Sequence, residues 1–170
     1  MQKVSKLLKG HFGIIAIIIL FIFANLVFLK FNSDVWWDPA VYIGIGKYIY
    51  SLGESGFWEE SRPLVLPIIL GLANIIKVDM LYFGRFVSML FSILVISLVY
   101  KLGTRIFGRN VGLLASFFTA FSYTFVFFSQ QILTEIPSTL FLLCAFYFFI
   151  EKRFFLMGLF SGLSIMTRFF

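Results

Sequence analysis

The sequence predicts an all-α, polytopic membrane protein, and three observations predict it. Hydrophobic residues make up 61% of the 170 and charged residues only 13%, where a soluble domain carries about 25% charged residues. Too little polar surface is left to cover a water-facing exterior. The apolar residues fall in runs near the roughly 20 residues that a spanning helix needs, with room for five such helices and one sizeable loop. The basic residues stand at the ends of those runs. Membrane topology therefore explains the net charge of +6 better than nucleic-acid binding does. The 25 Phe fit an exterior that faces lipid.

The first span is expected at about 12–29. The apolar run 11–29 lacks a small-x-small cleavage pattern before Lys30, so it reads as a retained signal anchor. Lys3, Lys6 and Lys9 precede it and place the N-terminus in the cytoplasm of a cell-membrane protein. His11, beside them, reads as an interface residue. An outer segment at 30–80 follows. It holds Asp34, Asp38, Glu54, Glu59 and Glu60, interleaved with Trp36, Trp37, Tyr42, Tyr48, Tyr50 and Trp58. That aromatic density suits the lipid headgroups. Asp38 before Pro39 reads as a helix start, acid at the N-cap and Pro at the first helical position. The helix runs to about Leu52, and Gly53 offers its stop. Residues 63–76, PLVLPIILGLANII, make a poor full span and fit an interfacial or re-entrant segment. A short, distorted crossing is the alternative.

Charge arbitrates between the two. If 63–76 crossed, the basic stretches 101–109 and 151–153 would lie outside. If it stays on the outer side, spans at 81–100, 111–128, 137–150 and 154–170 put both short basic loops in the cytoplasm, as the positive-inside tendency requires. The second arrangement is the expected one. The chain ends at TRFF inside an apolar run, which predicts a piece of a longer membrane protein. The lone Cys144 excludes an intrachain disulfide and a multi-cysteine zinc site. No P-loop, dinucleotide fingerprint or HExxH pattern occurs.

Few residues can carry chemistry. Asp38 is a carboxylate beside two tryptophans, and Tyr42 shares its helix face; a simple N-cap among aromatic anchors is the plainer reading. Glu59, Glu60 and Arg62 form a cluster that binds a charged substrate or a metal, or is only an exposed loop with weak ion pairs. Arg85 lies inside the 81–100 run, where an arginine clamps a phosphate or snorkels to the interface. Glu135, after Gln130 and Gln131, sits in the outer loop 129–136, where Thr134 or Glu135 caps the next helix. Arg168 ends the last run near the outer face. Under the expected topology Asp38, Glu60, Arg85 and Glu135 face one compartment, the requirement for a common site.

These pieces occur in a telling order: WWDPAVYIGIGKYI, ESRPLVLPIILGL, YFGRFVSMLFSIL, TRIFGRNVGLLASFF, SQQILTEIPSTLFLL and GLSIMTRF. From Lys30 to Phe169 the chain resembles the N-terminal part of a GT-C-type, polyprenyl-phosphate-sugar-dependent glycosyltransferase. The group is that of the dolichyl-phosphate-mannose protein mannosyltransferases and their aminoarabinose-transferase relatives. The resemblance implies a GT-C-like helical bundle. It also implies transfer of a sugar from a polyprenyl phosphate carrier to an acceptor protein or glycolipid on the non-cytoplasmic side. By position it makes Asp38 and Glu135 catalytic, gives Arg85 and Arg62 the carrier phosphate, and puts Glu60 and Tyr42 in support. It leaves a divalent metal open, because relatives differ on metal use. The sequence departs from the pattern twice. Pro39 stands where many relatives carry a second acid, and Leu64 stands where a second proline is usual. Relatives are several times longer, so these residues alone are expected to lack transferase activity. A membrane module of a transporter or assembly, and an inactive truncated product, are the competing expectations.

Overall fold

The computed structural model describes residues 2–29 and 37–169. Asp34, Trp36 and the side chains of Lys3, Lys6, Lys9 and His11 lie outside the described residues. All regular structure among the described residues is helical. It comprises α1 (Gln2–Leu29), α2 (Trp37–Tyr50), α3 (Val65–Ile75), α4 (Met80–Phe107), α5 (Arg109–Phe121), α6 (Tyr123–Gln130), α7 (Glu135–Ile150) and α8 (Phe154–Thr167). Phe12–Leu29 and Met80–Phe107 are each long and apolar enough to cross a membrane. A third crossing is added if α5 and α6, bent by 59° at their junction, form one span. The protein is therefore a multi-pass helical bundle. Phe12, Phe23, Phe86, Phe118 and Phe155 are all more than half exposed, as suits a surface covered by lipid.

Helix α4 is the spine, about 42 Å long at 1.5 Å per residue, and it packs on α1, α3, α5, α6 and α7. Asp79 caps it, its Oδ1 accepting from the N–H groups of Leu81 at 2.9 Å and Tyr82 at 3.2 Å. Gly108 stops it at φ 94°, a conformation that L side chains rarely adopt, and the chain turns back at once into α5. Here the two backbones nearly touch. A Cβ on Gly112 would lie 2.7 Å from Thr104 N and 2.8 Å from Tyr100 O. Small residues at such crossings are how membrane helices approach closely. Gly112→Ala is therefore expected to destabilise the bundle by about 1–3 kcal/mol. Gly158, with nothing within 4 Å of its would-be Cβ, accepts Ala with no loss. Thermal unfolding of both variants in detergent checks this, and equal melting points would refute it.

Three segments differ in detail from their sequence expectations. The span at 111–128 is divided at Ser122, whose extended backbone (φ −68°, ψ 136°) ends α5 and starts α6. Its hydroxyl accepts from Phe125 N at 3.3 Å and donates to Thr119 O at 3.4 Å, so one side chain serves both helix ends. The loop 129–136 is not an exposed connection. Ser129, Gln130, Gln131, Ile132 and Thr134 are all buried. Ser129 Oγ donates to Asn25 Oδ1 at 2.7 Å, and Ser88 Oγ donates to Gln131 O at 2.9 Å. These bonds are what let polar groups leave water. Third, α2 begins at Trp37, so Asp38 stands in its first turn and not at its cap. Proline is tolerated there because the first turn's N–H groups lack intrahelical partners.

α2 and α3 form a hairpin. Gly53 N donates to Tyr48 O at 2.9 Å to close α2, with Gly53 at φ 92°. Tyr50 Oη donates to Ile68 O at 3.1 Å across the pair. The 11 residues of α3 reach about 16 Å, half of a hydrocarbon core of about 30 Å. At the far end of the bundle Arg105 pairs with Glu151. That ion pair brings the α4–α5 and α7–α8 turns, with their basic residues, to one end.

Candidate active site

The site lies at the other end, where α2, the 51–64 connection, α7 and the end of α8 meet. Tyr42 is buried at 4% exposure and packs with Leu66, Leu70 and Ile132. One turn earlier, Asp38 reaches the rim. Arg62 precedes the buried Pro63 at the entry to α3. Its Nη2 donates to Asp38 Oδ1 at 2.8 Å and its Nε to Glu59 Oε1 at 3.0 Å. The guanidinium carbon stands 5.7 Å from the centre of the Tyr42 ring, within cation–π range. Burial works against the Arg62 charge. The hydrogen bond to Glu59, the charge of Asp38 and the Tyr42 hydroxyl outweigh it and hold the guanidinium above its ordinary pKa.

A second pair completes the wall. Glu135 is the first residue of α7, and Arg168 follows α8 in extended backbone. Arg168 Nη1 lies 2.8 Å from Glu135 Oε1. One turn below, Ser164 Oγ donates to Ser138 O at 3.0 Å, and the two hydroxyls are 3.2 Å apart. Both serines are buried, so this contact fixes the α7–α8 crossing on which the ion pair sits. Asp38, Tyr42, Glu59, Arg62, Glu135 and Arg168 face a common cavity of about 380 Å³. Glu135 also borders a smaller cavity of about 300 Å³ beside Ser122, Thr124 and Thr139. Its Oε2 is buried without a hydrogen-bond partner among the described residues.

Four residues singled out in the sequence thus share the cavity: Asp38, Tyr42, Arg62 and Glu135. Two do not. Glu60 is exposed and off the wall, and Glu59 takes its place on Arg62. Arg85 is half-buried on α4 and does not line the cavity. Glu59, named only within the loop cluster, and Arg168, named only by its place near the outer face, join the four. The three-residue spacing from Glu59 to Arg62 is a signal for the first. For Arg168 the sequence offers only a charge at the end of an apolar run.

Asp38 and Glu59 face Arg62, and Glu135 faces Arg168. Among the described residues no three His, Cys, Asp or Glu side chains come close enough to hold a metal ion. With each of these carboxylates already facing an arginine, the described donor set does not fit a resident divalent cation.

No curated protein and no solved structure matches the chain. Residues 61–170, well over half of it, match the family described as dolichyl-phosphate-mannose-protein mannosyltransferase. That span takes in Arg62 and both members of the Glu135–Arg168 pair, and it begins after Asp38. The helices from α3 to α8 and one whole wall of the cavity fall inside the match, and the chain belongs to the dolichyl-phosphate-mannose-protein mannosyltransferase family.

Proposed function

We propose that the protein is a membrane glycosyltransferase with a GT-C-like bundle, which moves a sugar from a polyprenyl phosphate to an acceptor outside the cytoplasm. One observation carries the reading: two carboxylate–arginine pairs from four separate parts of the chain meet around one cavity. Partly exposed ion pairs contribute only about 0–1 kcal/mol each. Stability alone is a weak reason to gather these charges.

In this reading the acceptor hydroxyl attacks the anomeric carbon. The new C–O bond forms as the bond from that carbon to the phosphate oxygen breaks, and the polyprenyl phosphate leaves with the electron pair. The acceptor proton passes to Asp38, the general base. Arg62 holds Asp38 Oδ1, which orients the carboxylate and leaves Oδ2 for the acceptor. Arg62 is already committed to two carboxylates. Arg168, with one described partner and a planar fork of donors, is the better group for the leaving phosphate. Glu135 aims Arg168. Arg85 has no part in this scheme. The basic turns at the opposite end support a non-cytoplasmic cavity and a cytoplasmic N-terminus.

The test uses the full-length protein that carries these residues, in sealed vesicles with a radiolabelled polyprenyl-phosphate sugar. Label should leave the carrier and appear in acceptor supplied on the outer side. A cysteine at position 105, in a Cys144→Ser background, should react only from the cytoplasmic face. A protein that moves a solute but never consumes the lipid-linked sugar would overturn the enzyme reading. Labelling from outside would overturn its sidedness.

A further inference from the structure

A second cavity, of about 420 Å³, opens between α4, α7 and α8 and shares no lining residue with the charged site. Its wall is almost wholly apolar: Phe91, Leu94, Leu98, Leu140, Phe141 and Phe160, with Cys144 among them. The exceptions are Ser97, whose hydroxyl donates to Ile93 O at 2.8 Å, and Lys101 at one end. Along α4 the groove runs from Phe91 to Lys101, about 15 Å, half of a hydrocarbon core of about 30 Å. It is thus as deep as one leaflet, and its one cation stands where a lipid headgroup would lie.

The charge around that end is unbalanced. The stretches 101–109 and 151–153 carry Lys101, Arg105, Arg109, Lys152 and Arg153 against a single acid, Glu151, and Arg105 already takes it. Lys101 Nζ lies 4.3 Å from the centre of the Tyr147 ring, which orients the ammonium without neutralising it. Among the described residues no carboxylate pairs with Lys101. Basic pockets between membrane helices recognise anionic headgroups.

We infer that this groove binds one anionic phospholipid of the leaflet at the Lys101 end, its acyl chain between α4, α7 and α8 and its phosphate on Lys101. This lipid is distinct from the sugar carrier, whose cavity is lined from the start of α7 and the end of α8. The inference does not depend on the proposed transferase activity.

Native mass spectrometry of the full chain, offered equimolar phosphatidylglycerol and phosphatidylcholine, tests it. Phosphatidylglycerol should be retained about fivefold over phosphatidylcholine, the equivalent of the roughly 1 kcal/mol that one basic residue near an anionic surface supplies. Lys101→Gln should bring the two lipids to parity, and Lys101→Arg should keep the preference. Cys144 gives a local readout. Its alkylation by N-ethylmaleimide should be slower in phosphatidylglycerol nanodiscs than in phosphatidylcholine nanodiscs, and Lys101→Gln should narrow that gap. The lower surface pH of the anionic disc acts equally on both proteins. Equal retention of the two lipids would overturn the inference, as would a preference unchanged in Lys101→Gln. Displacement of phosphatidylglycerol by a polyprenyl phosphate at lower concentration would assign the groove to the carrier instead.

Discussion

Replacing Asp38 with Asn in the full-length protein is expected to lower sugar transfer by on the order of 10²-fold or more, with membrane abundance unchanged. Asn keeps the size of the side chain and an oxygen to accept from Arg62 Nη2, now 2.8 Å away. It removes the negative charge and the base. If Asp38 only anchors Arg62 at the start of α2, Asn serves nearly as well, because both residues suit helix N-termini. Only a role as proton acceptor separates the two. Transfer from a polyprenyl-phosphate sugar, measured in membranes at matched protein levels, decides it. Near-normal turnover by D38N would remove Asp38 from the chemistry.

Arg168→Ala is expected to cost about 10²–10³-fold in transfer, the range seen when one preorganised donor to a developing negative charge is lost. Arg168→Lys should recover only part of this, because an ammonium keeps the charge and loses the planar fork. The alanine variant also strips Glu135 of its described partner, so its unfolding temperature must be measured beside its activity. Glu135→Gln separates the two effects. It keeps an acceptor for Arg168 while removing a charge, so it should impair transfer less than R168A. An R168A protein that is folded and turns over normally would show that the leaving phosphate is stabilised elsewhere.

The helical class and the apolar runs are legible in the sequence because hydrocarbon imposes them. A span must be long, apolar and internally hydrogen-bonded. Asp38, Tyr42, Arg62 and Glu135 are legible as candidates for a related reason: charged and polar groups are scarce enough here to be conspicuous. What the pattern does not carry is three-dimensional pairing. Arg168 meets Glu135 only because α7 and α8 cross at Ser138 and Ser164, and two serines in apolar runs announce nothing. The burial of 129–134 is hidden for a similar reason. Ser129, Gln130 and Gln131 read as loop polarity, whereas Ser129 and Gln131 are bonded to Asn25 on α1 and Ser88 on α4. Arg85 shows the converse, since its place inside an apolar run made it stand out without bringing it to the cavity.

The break at Ser122 also gives this flank of the bundle a polar recess. Hydrocarbon cannot solvate the freed end of a helix, and the Ser122 hydroxyl serves the ends of both α5 and α6. The 13 residues of α5 rise about 20 Å from Arg109, well short of the roughly 30 Å of an undisturbed bilayer core. If the bent pair is one span, α6 supplies the rest. Ser122, Thr124 and Thr139 line the recess there, with Glu135 at its inner wall. Glu135 is thus bordered by three hydroxyl side chains on the flank where the bent pair breaks.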